Sequence, residues 1–281
     1  MVRNNIGIMQ GRLSLPDGDK IQSFPKDSWD KEFERAREAS LSNIEWIFEQ
    51  DEWRNNSLAT DEGIKEINEL MQRFNVEVNA HCADYFMDVP YLKASTNEKR
   101  ELIEKLDWLI DRANLIGVKY IDIPFVDNSK IEGPHEFPEI VEFIKSCVGR
   151  AESKGITLTL ETSLNPTEFL ELLSKFNHPN VMANYDTGNS SGIGYNTVEE
   201  LRTYGKFIRT VHIKDRLLSN GTKPLGTGSA DFDSFFNELA KLNFKGPIIL
   251  QVAREKDGEE VKTAIKNREF VQTYLQKYGI E

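Results

Sequence analysis

Cysteine, histidine and long apolar runs are all scarce in this 281-residue chain. Its two cysteines, Cys82 and Cys147, stand outside any CxxC pair and are too few for a disulfide framework, so we expect free thiols. No apolar run approaches the roughly 18 residues that a membrane span needs. The opening residues, Met1 to Asn5, lack the apolar core of a signal peptide, and the expected location is therefore cytoplasmic.

Positive charge is also in short supply. The chain has 35 Lys and Arg residues against 46 Asp and Glu residues, which gives a formal net charge of −11. Binding to nucleic acid rests on many Lys and Arg contacts to phosphates, so we expect no nucleic-acid partner. Hydrophobic residues make up 39% of the chain, which is enough for one sizeable core.

Strand-like apolar runs alternate with amphipathic helical stretches along the whole sequence. The pattern predicts strands near 5–10, 43–48, 76–81, 119–123, 156–161, 180–186, 208–213 and 247–252, and helices over 28–39, 61–74, 97–116, 136–153, 167–176, 197–204, 231–243 and 258–278. Eight such units in 281 residues predict a single α/β domain, a parallel eight-stranded (β/α)8 TIM barrel that spans residues 1–281. A doubly wound open sheet is the alternative, but the turn that follows the first strand contains no GxGxxG.

Four successive predicted strands end in a side chain that can bind a divalent metal. These side chains are Glu161, Asp186, His212 and Gln251. TIM barrels carry their chemistry at the carboxyl ends of the strands, so we expect the four side chains to meet at one site. Two carboxylates, an imidazole and an amide oxygen suit a hard or borderline cation. One Asp or His at a strand end is more often a cap or a loop residue, but four in one half of a barrel favour a metal site.

The same strand ends carry motifs by which the chain resembles the xylose isomerase-like TIM-barrel superfamily, the sugar phosphate isomerase/epimerase group. The resemblance covers essentially the whole chain and is strongest in Leu160-Glu161-Thr162, Tyr185-Asp186-Thr187-Gly188-Asn189, Val211-His212-Ile213-Lys214-Asp215 and Leu225-Gly226-Thr227-Gly228. It implies a barrel in which Glu161, Asp186 and His212 hold a metal. Members of the superfamily interconvert aldoses and ketoses, epimerise ketoses, dehydrate inososes or cleave DNA at abasic sites.

Gln251 departs from the family pattern, in which the strand-8 position is usually a glutamate in the epimerases. An amide can offer its oxygen to a metal, but it carries no charge and cannot exchange a proton near neutral pH. The epimerase mechanism that the resemblance implies uses the glutamates of strands 5 and 8 on opposite faces of an enediolate, so Gln251 cannot be the second base. A one-base isomerisation with Glu161 as metal ligand and general base stays open, and so does a dehydration.

Three further candidates for chemistry lie at the predicted strand ends. His81 ends the third strand and could shuttle protons, because an ordinary histidine titrates near neutral pH. Lys214 could stabilise an enediolate oxygen beside the metal. Glu45 could accept hydrogen bonds from sugar hydroxyls. A hydrogen-bonded rim histidine and a solvated loop carboxylate are the structural alternatives for His81 and Glu45.

An anionic group on the substrate would need cations or free backbone N–H groups. Arg254 follows the eighth strand and could bind a phosphate or carboxylate with two hydrogen bonds. Gly226 and Gly228 precede the helix that Asp231 opens, where TIM barrels often bind phosphate, and Lys223 could add charge there. Surface solvation is the alternative for each of these residues.

The sequence thus predicts a cytoplasmic, metal-dependent isomerase or epimerase of a sugar or sugar phosphate. Mn²⁺ or Mg²⁺ suits the expected ligands best, with Zn²⁺ and Co²⁺ as alternatives. An inosose-type dehydratase and a non-catalytic carbohydrate-binding barrel are the other functions left open. An abasic-site endonuclease is disfavoured, because such enzymes use three zinc ions and this chain has only four histidines. The expected partner is a small sugar; neither nucleic acid nor a membrane is expected, and a homo-oligomer stays open.

Overall fold

Eight parallel strands form a closed barrel in the computed structural model, which describes residues 5–16, 18, 20–51 and 53–280. The strands, numbered here 1 to 8 along the chain, are Ile6–Met9, Asn43–Ile47, Glu77–Cys82, Tyr120–Phe125, Thr157–Thr162, Val181–Asp186, Ile208–Ile213 and Ile248–Leu250. Each strand pairs with the next one in the chain, and strand 8 closes the ring by pairing with strand 1. The prediction of a TIM barrel is therefore confirmed.

Ten α-helices accompany these strands in the described residues. They are Lys31–Glu38, Asp61–Phe74, Tyr85–Asp88, Thr96–Leu115, Phe137–Ser153, Pro166–Phe176, Thr187–Ile193, Thr197–Tyr204, Phe232–Lys241 and Glu260–Tyr278. Eight of them match the predicted helices, whereas the two short ones after strands 3 and 6 were not predicted. The predicted single domain includes residues 1–4, 17, 19, 52 and 281, which lie outside the described residues, and its extent stays a prediction.

Most of the apolar core lies between the barrel and the helices. Outward-facing strand residues such as Ile8, Ile44 and Leu160 pack there against helix residues such as Phe33 and Phe143. A second, smaller cluster fills the inside of the barrel and contains Met9, Ile47, Cys82 and Ile249. Polar side chains occupy much of the remaining interior, and they lie on strands 2, 4, 5, 6 and 7. The barrel interior is therefore apolar on one side and polar on the other.

The connection after strand 7 contains secondary structure of its own at the mouth of the barrel. Two short strands, Asp215–Arg216 and Thr222–Lys223, pair there as an antiparallel hairpin before the helix Phe232–Lys241 begins. The short helix Thr187–Ile193 packs against the first of these strands. Within the described residues, no helix combines the length and the apolar character that crossing a membrane requires.

Candidate active site

A cavity of about 790 Å³ opens at the carboxyl ends of the barrel strands. Glu161, Lys214 and Gln251 line it, so three of the predicted site residues face one space. Asp186 ends strand 6 and His212 belongs to strand 7; both are buried beside Glu161 and do not line the cavity themselves. Glu161 and Gln251 therefore face one pocket, and Asp186 and His212 are buried behind its lining.

His212 lies between two carboxylates. Its Nε2 is 2.7 Å from Glu45 Oε2, and its Nδ1 is 3.3 Å from Glu161 Oε2. Burial alone would lower the pKa of His212, but the two carboxylates outweigh burial and hold the pKa well above its usual range. Nδ1 also lies 3.0 Å from the amide nitrogen of Asn184. His212 Nδ1 can therefore donate to Glu161 when the ring is an imidazolium, or accept from the Asn184 amide when the ring is neutral.

Asp122 joins this cluster from strand 4, although it was not among the site residues predicted from the sequence. One ligand atom of Asp122, one of Glu161 and one of His212 all lie within 4.8 Å of one another. Burial, followed by the charge of Glu161, raises the pKa of Asp122 well above its usual range. A signal was present in the sequence, because Asp122 stands between Ile121 and Ile123 in the middle of an apolar strand. Because successive side chains of a strand point to opposite faces, Asp122 points into the barrel when Ile121 and Ile123 point outward.

A network of amides and hydroxyls holds these acids from below. Asn184 Nδ2 donates to Glu161 Oε2 at 2.9 Å, and it lies 3.4 Å from Asp122 Oδ2. The Thr210 hydroxyl donates to Asn184 Oδ1 at 2.8 Å, and this hydrogen bond fixes the direction of the side-chain amide. Thr159 donates to Asp122 Oδ1 at 3.3 Å. The polar residues inside the barrel therefore orient the acidic cluster.

Asp186 divides its two oxygens between the short helix and the site. Oδ1 accepts from the backbone N–H groups of Gly188 and Asn189, both at 2.8 Å, and so caps the helix Thr187–Ile193. Oδ2 has no hydrogen-bond partner among the described residues and lies 3.6 Å from Lys214 Nζ. Burial raises the pKa of Asp186, an effect that the nearby Lys214 ammonium group opposes.

Lys214 reaches the pocket by passing over Gly188. A Cβ atom on Gly188 would lie 2.6 Å from Lys214 Cγ, so a larger residue at this position would block the lysine side chain. The ammonium group donates to Gln251 Oε1 at 3.1 Å and to Asn189 Oδ1 at 3.3 Å. Asn189 also donates to Glu161 Oε1. The Gly188–Asn189 pair of the DTGN motif thus places Lys214 next to the acidic cluster.

Gln251 connects this side of the pocket with the first loop. Its Nε2 donates to Gln22 Oε1 at 3.1 Å, and Gln22 Nε2 donates to Asp84 Oδ2 at 2.7 Å. The thiol of Cys82 donates to the other Asp84 oxygen at 3.1 Å. Both Gln22 and Asp84 line the pocket, and neither was predicted from the sequence. They lie in connecting segments, where no periodic pattern assigns a direction to a side chain.

His81, which was predicted to shuttle protons at the site, does not line the pocket. The register of strands 2 and 3 shifts between Asn43 and Glu45, and beyond the shift His81 is paired with Trp46. Trp46 belongs to the outer core, and His81 lies against Phe48 of the same core. Burial lowers the pKa of His81 to about 3, so its ring is neutral there. Cys82 takes the inward position instead, and we assign His81 no part in the chemistry.

The residues predicted to bind an anion are engaged in structural contacts. The Arg254 guanidinium group donates to the backbone carbonyls of Gly11, Ser14 and Ile21 at 2.8, 2.9 and 3.0 Å. It does not line the pocket. Arg254 therefore holds the loop after strand 1 in place.

The loop that contains Gly226 and Gly228 binds an internal carboxylate. The backbone N–H groups of both glycines donate to Asp215 Oδ2, at 2.9 and 2.8 Å, and a Cβ atom on Gly228 would lie 2.1 Å from Asp215 Oδ1. Lys223 lies in the hairpin opposite Asp215, and its neighbour Thr222, rather than Lys223 itself, lines the pocket. These N–H groups are therefore already used by the protein.

The acidic cluster fits a divalent cation. Asp122, Glu161 and His212 converge within the reach of one ion, and the predicted ligands Asp186 and Gln251 lie beside them. The buried Asp186 Oδ2 lacks a hydrogen-bond partner among the described residues. Buried acceptors of this kind are normally satisfied, and a cation would satisfy them. This buried Asp/Glu/His group could therefore bind a metal.

The barrel and its cluster define the class of this molecule, a TIM-barrel protein with a candidate metal centre at the strand ends. Residues 33–274 match the xylose isomerase-like TIM barrel family, so the chain belongs to that family. The resemblance that the strand-end motifs indicated is thereby confirmed.

Two curated relatives match nearly the whole chain. The protein called SgbU in Haemophilus influenzae, whose name assigns it provisionally to the L-ribulose-5-phosphate 3-epimerases, is 23% identical over 279 residues, which cover 92% of this chain and 96% of SgbU. The L-ribulose-5-phosphate 3-epimerase UlaE of Escherichia coli O1:K1 is 21% identical over 278 residues, which cover 95% of this chain and 97% of UlaE.

Solved structures of the same fold include proteins with bound sugar or metal. A D-allulose 3-epimerase from Methylomonas sp. in complex with D-allulose has a TM-score of 0.74 at 19% identity, with 97% of each chain covered. The IolI protein with a zinc atom has a TM-score of 0.73 at 18% identity, covering 97% of this chain and 98% of IolI. A family member from Mycobacterium smegmatis in complex with magnesium has a TM-score of 0.71 at 17% identity, with 96% of each chain covered. At these identities, the likeness shows the fold alone.

Proposed function

We propose that this chain is a sugar epimerase that inverts the carbon next to the carbonyl group of a ketose, with Glu161 as general base and a divalent cation as cofactor. The observation that carries the proposal is the convergence of Glu161, His212 and Asp122 at the floor of the pocket. The names of the two curated relatives, both 3-epimerases, support the choice of reaction and suggest C3 as the carbon.

Glu161 is held in the form that a general base requires. Although its burial favours the neutral acid, the contact with His212 outweighs burial and keeps the pKa of Glu161 below its usual range. Asn184 and Asn189 each donate to one of its oxygens, so the carboxylate has a fixed direction at the pocket floor. A base in a fixed position beside the substrate C–H bond gains from proximity as well as from its charge.

The cation would be held by Glu161, His212 and Asp122, with the predicted ligands Asp186 and Gln251 as further donors. Mn²⁺ or Mg²⁺ is the first choice for this mainly oxygen-donor set. When bound, such a cation polarises the sugar carbonyl and makes the adjacent C–H more acidic. Lys214 Nζ, close to Asp186 and Gln251, supplies a fixed positive charge that favours negative charge on a sugar oxygen.

The proposal is tested with a panel of ketoses and ketose phosphates, supplied with Mn²⁺ or Mg²⁺ after treatment with a chelator. We expect one ketose to be converted to its C3 epimer and to exchange its C3 hydrogen in D₂O, which NMR detects. Binding of sugars without any C–H exchange would favour the carbohydrate-binding alternative. Exchange at C1 with formation of an aldose would indicate an isomerase instead.

Glu161→Gln should keep the fold and lose epimerisation by at least ~10²-fold, the usual range for a lost general acid–base group. Circular dichroism and thermal unfolding check the fold, and product formation measures the rate. Glu238→Gln is a suitable control, because Glu238 is a largely buried carboxylate on the outer helix Phe232–Lys241. Near-wild-type turnover by Glu161→Gln would mean that another residue is the base.

A further inference from the structure

Epimerisation needs a second proton-transfer group, and this inference rests on the proposed function. One group removes the C3 proton from one face of the sugar, and a second group must return a proton to the opposite face. Gln251 has an amide where the family's epimerases usually have a glutamate, and an amide cannot serve as this acid near neutral pH. His81 lies outside the pocket. The second proton must therefore come from another acid of the pocket.

Asp84 lines the pocket and is connected by hydrogen bonds to the side opposite Glu161. In the ring of eight strands, strand 1 stands opposite strand 5, which carries Glu161. Asp84 follows strand 3, but its Oδ2 accepts from Gln22, a residue of the loop after strand 1, at 2.7 Å. Gln22 is in turn bonded to Gln251 at 3.1 Å. The Asp84 carboxyl group is therefore linked through Gln22 to the wall to which Gln251 belongs, where the family pattern would have its second glutamate.

The surroundings of Asp84 suit proton transfer. Only 6% of the residue is exposed, and the part that is open lines the pocket. Its partners are the Gln22 amide and the Cys82 thiol, which donate one hydrogen bond to each oxygen and fix its direction. Burial raises the pKa of Asp84 to about 6, so both protonation states are accessible near neutral pH.

We propose that Asp84 is the second acid–base group of the site and protonates the sugar carbon on the face opposite Glu161. In the first step the C3–H bond breaks, its proton goes to Glu161, and its electron pair forms the C2–C3 double bond while the carbonyl becomes an enediolate oxygen. In the second step the O–H bond of Asp84 breaks, a new C3–H bond forms on the other face, and the carbonyl is restored. No electron is gained or lost overall, and exchange with water resets both carboxyl groups.

The role of Gln251 follows from the same contacts. The Gln251 side-chain oxygen accepts from Lys214, and its nitrogen donates to Gln22. Gln251 therefore holds Gln22 in the position from which Gln22 donates to Asp84. Asp84 is the group that reacts, whereas Gln251 and Gln22 position it.

Asp84→Asn gives an asymmetric result if this assignment is correct. The variant should lose net epimerisation by at least ~10²-fold. In D₂O it should still exchange the C3 hydrogen of the epimer whose C–H faces Glu161, because this step needs no second group. It should no longer exchange the C3 hydrogen of the other epimer. NMR of each epimer, incubated separately with metal-loaded protein, measures both rates.

Controls separate this role from a structural one. Asp107→Asn makes the same chemical change outside the pocket, at a carboxylate that pairs with Arg150 at 3.3 Å, and should behave like the wild type. Asp84→Glu, which keeps a carboxyl group, should retain measurable exchange of both epimers, and it serves in place of Asp84→Asn if the latter fails to fold.

Two outcomes overturn the inference while the proposed function stands: Asp84→Asn epimerises at close to the wild-type rate, or it loses exchange of both epimers equally. Loss of the opposite-face exchange in Lys214→Met, with Asp84→Asn unaffected, would assign the step to the lysine. A wild-type protein that exchanges no C–H hydrogen of any ketose overturns the proposed function itself, and the inference with it.

Discussion

At the scale of single residues, the Glu45–His212 pair decides which nitrogen of the imidazole faces the site. Glu45 is fully buried, does not line the pocket, and lies 2.7 Å from His212 Nε2. A carboxylate at this position favours a proton on Nε2, so Nδ1, which lies 3.3 Å from Glu161 Oε2, is the nitrogen that can give up its proton to bind a cation. Metal-binding histidines commonly depend on such a partner for their tautomer and orientation. Glu45 is thus better placed to orient His212 than to bind a sugar hydroxyl.

Glu45→Gln should weaken binding of Mn²⁺ by about 10- to 100-fold, the range found when the carboxylate behind a metal-binding histidine is lost. The amide keeps the size of the side chain but removes the charge that holds the Nε2 proton. Calorimetric titration of the chelator-treated protein measures the affinity, with Glu49→Gln as a control at a pocket carboxylate on the same segment. Equal affinities of Glu45→Gln and the wild type would mean that His212 needs no such partner.

Residue positions at strand ends could be predicted from the sequence, whereas the direction of some side chains could not. Glu161, Asp186 and His212 follow from the alternation of inward and outward side chains in regular strands. This alternation fails for His81, because the register shift between strands 2 and 3 reverses the faces. Asp84 sits in a loop, where its direction depends on Gln22, a contact between residues far apart in the sequence.

At the scale of elements, the short helix Thr187–Ile193 links the stability of the fold to the site. Asp186 caps this helix with one oxygen, while its other oxygen lies near Lys214. Gly188, in the first turn, gives Lys214 its passage into the pocket. Within four residues, the DTGN motif therefore provides the N-cap of a helix, a glycine that leaves room for the Lys214 side chain, and a carboxylate near the site.

Two substitutions of Asp186 should separate the cap from the metal ligand. Asp186→Ala removes both functions, so it should lower the free energy of unfolding by about 0.5–2 kcal/mol and also weaken metal binding. Asp186→Asn keeps an oxygen that can accept from Gly188 and Asn189, so stability should change little while metal affinity falls. Urea unfolding and calorimetry measure the two quantities. Unchanged metal affinity in both variants would remove Asp186 from the ligand set.

The long elements were predictable because their patterns are strong and local. The helices Asp61–Phe74 and Thr197–Tyr204 have the predicted bounds, and side chains of Thr60 and Asn196 cap them. The hairpin Asp215–Arg216 with Thr222–Lys223 was missed, because strands of two residues carry no periodic signal. Asp215 stabilises the loop beyond this hairpin through three backbone N–H groups, a contact that only the folded chain creates.

At the scale of the whole molecule, one buried carboxylate couples global stability to pH. Glu32 is 1% exposed and accepts from the backbone N–H groups of Gly11 and Leu13, which joins the first helix to the loop after strand 1. Burial raises the pKa of Glu32 from 4.5 to about 7. The folded state thus binds this proton more tightly than the unfolded chain, and the resulting stability is present below pH 4.5 and lost as pH rises through about 7.

The free energy of unfolding of the wild type should therefore fall between pH 5 and pH 8 relative to Glu32→Gln, by at most about 3 kcal/mol from this group. Glutamine cannot ionise, so the difference between the two proteins isolates Glu32 from other titrating residues. Urea unfolding at several pH values provides the measurement. Parallel pH curves for the two proteins would show that Glu32 keeps an ordinary pKa.

The electrostatics of the pocket bear on whether the substrate carries a phosphate. Among the described residues, the pocket is lined by six carboxylates, Glu49, Asp51, Asp84, Asp88, Asp127 and Glu161, and by four cations, Arg12, Lys20, Lys214 and Arg216. The cations have partners within the protein: Lys20 pairs with Asp51 at 3.2 Å, and Arg216 donates to Asn189 and to the carbonyl of Asn220. The loop N–H groups that could have held a phosphate bind Asp215 instead.

We therefore expect the protein to prefer an unphosphorylated ketose over its terminal phosphate ester, by at least about 10-fold in kcat/KM, which corresponds to roughly 1.4 kcal/mol. A phosphate dianion would find the pocket cations already engaged, and it would have to displace existing partners of each cation. The comparison uses L-ribulose and L-ribulose 5-phosphate at low and high salt. Faster turnover of the phosphate ester at low salt would show instead that Arg12, Lys20 or Arg216 exchanges its internal partner for the substrate.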